Sequence, residues 1–145
     1  MTPVNINVKF LLNLVKVESI LVRHFDKGMG NGIGFNEFLI LFYLNQSDNQ
    51  KMRRVDLAEK MSMTASGITR MLLPMEKIGL ISNDSAGNDA RVKSVLLSSG
   101  GKQKFNEALE RFEFLAEGIF SGVKNKEIES CSNLFVELGG KILMS

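Results

Sequence analysis

Two short stretches of apolar periodicity, separated by only three residues, constrain this chain more than any other feature. In residues 53–61, Val55, Leu57, Ala58 and Met61 fall on one side of a short helix. In residues 65–78, Ile68, Met71, Leu72, Met75 and Ile78 form an apolar stripe, while Ser66, Thr69, Arg70 and Leu73 point the other way. Ser62-Met63-Thr64 joins the two. Thr64 suits the N-cap of the second helix, because its hydroxyl can accept a bond from an orphan backbone N–H of the next turn. Gly79 stops that helix, as glycine does just past a helix end. Two short helices on a three-residue connection make a helix-turn-helix.

The flanking segments extend this unit. Leu80-Ile81-Ser82 and Val92 to Leu97 read as two strands of a hairpin, joined by the polar loop 83–91 with Gly87 at its tip. A hairpin directly after a helix-turn-helix is a wing. Upstream, residues 8–25 and 35–46 read as helices, separated by a loop with glycines at 28, 30, 32 and 34. The loop fails the spacing of a dinucleotide-binding glycine motif. The second of these helices is apolar nearly all round, which places it at the centre of a domain. Residues 102–120 and 126–143 are two further helices with apolar faces. Pro74 sits inside the 65–78 segment and removes the bond to the Arg70 carbonyl. A kink is expected near residues 70–74, or else a helix that ends at Leu73.

Composition bounds the function. The 145 residues fit one domain, 1–145. One cysteine, Cys131, excludes an intrachain disulfide, and one histidine, His24, excludes a pair of histidine ligands within the chain. The longest apolar run, Phe38 to Leu44, is far short of a membrane span. The start Met1-Thr2-Pro3-Val4-Asn5 does not read as a signal peptide, so a cytoplasmic location is expected. The small overall charge of +2 conceals an uneven distribution. Residues 51–104 carry ten basic and five acidic side chains, and residues 105–145 carry four basic and seven acidic. A local positive excess is where a polyanion docks.

Leu57-Ala58-Glu59, then Ser66-Gly67-Ile68-Thr69-Arg70, then Met75-Glu76-Lys77-Ile78-Gly79-Leu80-Ile81, resemble the core of the MarR family of bacterial transcriptional regulators. Asn88-Asp89-Ala90-Arg91-Val92 and Leu97-Ser98-Ser99-Gly100-Gly101-Lys102 resemble that family's wing and the start of its fifth helix. The resemblance implies a mostly α fold with a small β-wing. A winged helix-turn-helix core at 35–98 is flanked by dimerisation helices at 1–34 and 99–145. It further implies a homodimer that binds a pseudo-palindromic operator in double-stranded DNA, with repression as the expected outcome. The helix 65–78 would enter the major groove with its N-terminal residues at base edges. Expected DNA-binding residues are Thr64, Ser66, Thr69 and Arg70 on that helix, and Asp89, Arg91 and Lys93 on the wing. Arg54, like Lys51 and Arg53, is either a phosphate contact or a solvated charge. Family members often bind an amphipathic or aromatic anion between core and dimerisation helices. Arg23, His24, Phe35, Phe38 and Phe42 would line such an effector cleft, against the plainer reading that the phenylalanines are core.

Other readings are weaker. Ser99-x-x-Lys102, Ser121-x-x-Lys124 and Ser47-Asp48-Asn49 match fragments of serine acyl-enzyme motifs, but in the wrong order and without the third motif. Glu107, Glu110, Glu113 and Glu117 lie on the polar face of one helix. No enzyme, metal or cofactor is expected. Cys131 lies on the apolar stripe of the last helix, where a buried, inert thiol is expected. A winged helix that binds protein instead of DNA is the alternative.

Overall fold

The computed structural model describes residues 2–28, 32–84 and 93–145. Helix α1 (Ile6–Gly28) starts at Asn5, whose Oδ1 accepts from the Val8 N–H at 2.9 Å. Helix α2 (Phe35–Gln46) begins against α1, because the Asp26 carboxylate accepts from the Phe35 N–H at 2.7 Å. Phe38, Ile40, Leu41 and Leu44 of α2 are buried, as a helix without a polar face requires.

A single 3-10 turn, Asp48–Gln50, leads into a strand that the residue pattern does not signal, β1 (Lys51–Arg53). Three residues carry too little alternation to read as a strand. Pairing makes it one: β1 joins β2 (Ile81–Asp84) and β3 (Ser94–Leu97) in an antiparallel sheet of order β1-β3-β2. Lys51 faces Leu96 across one ladder, and Ile81 faces Leu97 across the other. Lys51 then reaches over β3 to Asp84, with Nζ 3.2 Å from Oδ2. The wing is therefore anchored at its base as three strands.

Helix α3 (Arg54–Lys60) and helix α4 (Ala65–Lys77) form the helix-turn-helix. Ser62, in the turn between them, takes φ 52°. Thr64 caps α4 as expected, its Oγ1 accepting from the Gly67 N–H at 3.0 Å. Helix α4 does not end at Leu73. It runs through Pro74 to Lys77, because Ile68, Leu72 and Met75 bury one stripe on both sides of the proline.

Helix α5 (Ser99–Ile119) starts three residues earlier than its apolar pattern. Ser98 caps it, accepting from the Gly101 N–H at 2.9 Å and donating to the Gly79 carbonyl at 2.5 Å. The core runs from Phe25 to Ala108 and includes Leu57, Ile68, Leu72, Met75 and Val95. Phe25 lies 5.2 Å from Phe38 and 5.5 Å from Phe112, and Phe38 stacks on Phe105 at 5.4 Å.

The chain divides after Phe112 into two compact units. The second, Glu113–Ser145, holds the end of α5 and helix α6 (Asn125–Met144). No residue of α6 is buried, and Val136 and Leu143 are 77% and 87% exposed. Cys131 is therefore exposed in this chain, not buried as its place on an apolar stripe implies. In the first unit, Ile6, Val8, Leu11, Leu12, Val15, Val17 and Ile20 of α1 are also exposed. No helix among the described residues is long and apolar enough to cross a membrane.

Candidate nucleic-acid interface

The site grows from the two faces of α4. One face is committed to the core through Ile68, Leu72 and Met75. The opposite face leaves Thr64, Ala65, Ser66, Arg70, Leu73 and Lys77 exposed. Short polar side chains thus stand at the N-terminal end, where unpaired N–H groups and the helix dipole favour an anion. The Thr64 and Ser66 hydroxyls lie 3.3 Å apart at that end. Arg70 follows one turn later.

Thr69 is not fully on the exposed face. It is half-buried, its hydroxyl donates to the Ala65 carbonyl at 3.0 Å, and Arg54 Nη1 approaches it at 3.5 Å. Arg54 is likewise half-buried, not a freely solvated charge. It lies beside a cleft of about 370 Å³ whose walls include Arg53, Val55, Ala65, Thr69 and Lys93. The three cations of this cleft are not equivalent. Arg53 is engaged by Asp56 in a forked pair, Nε to Oδ2 at 2.9 Å and Nη2 to Oδ1 at 3.1 Å. That bond holds the exposed Asp56 carboxyl below its ordinary range and raises the Arg53 guanidinium. Lys93 is exposed.

Asn83 and Glu76 belong to the same surface, and their residue types alone do not mark them. Asn83 Nδ2 donates to both Glu76 carboxylate oxygens at 3.0 Å, and its Oδ1 accepts from Arg54 at 2.9 Å. Asp89 and Arg91, expected at the wing, lie outside the described residues. The residues expected to line an effector cleft separate into two environments. Phe38 is in the core, and Phe35 and Phe42 pack against it. Arg23 and His24 are exposed on α1, where Arg23 borders a shallow depression with Glu18, Val22 and Asp26 of the same helix.

The arrangement matches known proteins at three levels. The MarR family model matches residues 35–93. An uncharacterized HTH-type transcriptional regulator of Bacillus cereus is 31% identical over 101 residues, 63% of this chain and 67% of its own length. The crystal structure of AbsC, a MarR family transcriptional regulator from Streptomyces coelicolor, superposes with a TM-score of 0.83 at 16% identity over all of both chains. Sco3205, a MarR family regulator from the same organism, was solved in complex with DNA. It superposes at 0.80 with 15% identity, over 96% of this chain and 89% of its own. Family model, sequence relative and fold agree that this chain belongs to the MarR family, whose members are transcriptional regulators and not enzymes.

Proposed function

We propose that this protein is a sequence-specific DNA-binding regulator that occupies a pseudo-palindromic operator as a homodimer and acts as a repressor. One observation carries the reading: Ser66 and Arg70 stand exposed on α4, beside a cleft at whose edge Lys93 is exposed. Such a helix reads base edges in the major groove, and an exposed cation such as Lys93 fixes its register on a phosphate. The DNA complex of Sco3205 supports the same use of the fold. The apolar residues left exposed on α1 and α6 support a second copy of the chain as the partner that covers them. In the dimer, two recognition helices would read half-sites about 34–36 Å apart, one DNA turn. Repression then follows from occupancy of a promoter.

The test is retention of genomic DNA fragments by the purified protein at two salt concentrations, followed by sequencing. A few fragments sharing a palindrome, with retention falling steeply as salt rises, are expected. No retention at low salt would sink the DNA-reading function.

A further inference from the structure

Three elements converge on Arg54, the first residue of α3. Its backbone N–H donates to the Lys93 carbonyl at 2.9 Å, just before β3. Its Nη2 donates to Asn83 Oδ1 on β2 at 2.9 Å. Its Nη1 makes a long contact of 3.5 Å to Thr69 Oγ1 on α4. Asn83 is held in turn by the Glu76 carboxylate of α4. The Thr69 hydroxyl spends its proton on the Ala65 carbonyl, which leaves oxygen lone pairs to accept from the guanidinium. The result is a closed path from Glu76 to Asn83 to Arg54 to Thr69. Glu76 and Thr69 are two turns apart on the same helix, so the path ties a length of α4 to the first strand of the wing.

We propose that Arg54 is a positioning residue, which sets the angle between the recognition helix and the wing through Asn83 and Thr69. The inference rests on the DNA-binding reading above and specifies how its two reading elements are held. A guanidinium suits this task because its planar fork reaches two acceptors on different elements, whereas a lysine is a single point donor. Arg54 Nε is buried with no partner among the described residues, while Nη1 and Nη2 reach Thr69 and Asn83. The neighbouring charges do not duplicate the link. Arg53 is paired with Asp56, and Lys51 with Asp84. Fixing helix and wing before DNA arrives removes an ordering cost from binding.

The experiment compares wild type, Arg54→Lys, Arg54→Gln, Asn83→Ala and the double variant Arg54→Lys/Asn83→Ala. Amide hydrogen exchange is followed in the free protein. Affinity is measured across salt for a fragment retained by the wild type. Arg54→Lys and Asn83→Ala are expected to speed exchange over residues 81–84 while the buried stripe of α4 stays protected. Each is expected to weaken binding roughly tenfold at an unchanged salt slope, and the double variant to lose no more than either single one. Full activity and normal exchange in Arg54→Lys would overturn the proposal. So would a silent Asn83→Ala together with a salt slope lowered by about one in Arg54→Gln, the signature of a phosphate grip. Wild-type protein that retains no DNA would overturn the regulatory reading alone, since exchange in the free protein still decides whether Arg54 and Asn83 hold β2 to α4.

Discussion

Gly101 is seated directly against the carbonyl of Leu80, so closely that a Cβ at this position would overlap its oxygen. The contact joins the first turn of α5 to the residue before β2, and Gly101 is fully buried. A backbone carbonyl cannot swing away as a flexible side-chain tip does. Gly101→Ala is therefore expected to destabilise the fold by about 2–3 kcal/mol, at the upper end of overpacking costs. Ser98→Ala removes the cap of the same helix together with the bond to the Gly79 carbonyl and is expected to cost less, about 1–2 kcal/mol. Urea unfolding of both variants checks the order, and equal losses would contradict it.

Arg70 and Lys93 are both exposed on the candidate interface but should do different work. Arg70 projects from the helix proposed to read bases. Arg70→Ala is expected to weaken operator binding by about 1–3 kcal/mol and to relax the preference at one base position. Lys93 lies just before β3, and its proposed target is a phosphate. Lys93→Ala is expected to weaken all sequences alike and to lower the salt slope by about one. Salt-dependent titration against an operator panel separates the two.

The Arg53–Asp56 pair gives a pH dependence of defined sign. The hydrogen bond from Arg53 lowers the Asp56 pKa in the folded state. Its contribution to stability is therefore present above the unfolded carboxylate value and is lost as pH falls through the folded one. The pair is exposed, so the effect on global stability is small. Carbon-13 NMR titration should find Asp56 below the ordinary aspartate value, and Arg53→Gln should return it upward. An Asp56 midpoint that ignores Arg53→Gln contradicts this account.

The exposed apolar residues of α6 predict association. Val136 and Ile142 are 77% and 60% exposed in the single chain. If a second copy covers them, Val136→Glu and Ile142→Glu should shift sedimentation from dimer to monomer and abolish high-affinity operator binding. Their effect on the helix-turn-helix unit should be small, because α6 lies in the other compact unit. A wild-type protein that sediments as a monomer at micromolar concentration would remove this prediction.

Most of the helical order was legible without the tertiary structure. Apolar periodicity is local: of the stripe Ile68, Met71, Leu72, Met75 and Ile78, the first four are buried or half-buried on α4, and Ile78, past the helix end, is exposed. Capping is local too, so Thr64 could be assigned from its position before the stripe. Even the uneven charge, with its excess in residues 51–104, is a property of the chain alone.

What only the tertiary structure decided depends on residues far apart in the chain. Lys51–Arg53 is a strand because Leu96, Val95 and Ser94 pair with it, not because of its own composition. Pro74 is tolerated inside α4 because core packing on both sides outweighs one missing ladder bond. Arg54 looks like any surface charge until folding brings Thr69 and Asn83, 15 and 29 positions away, within reach of one guanidinium. Local pattern marks the apolar face of a helix; it carries no information on which distant polar groups will meet, and the proposed role of Arg54 rests on its meeting with Thr69 and Asn83.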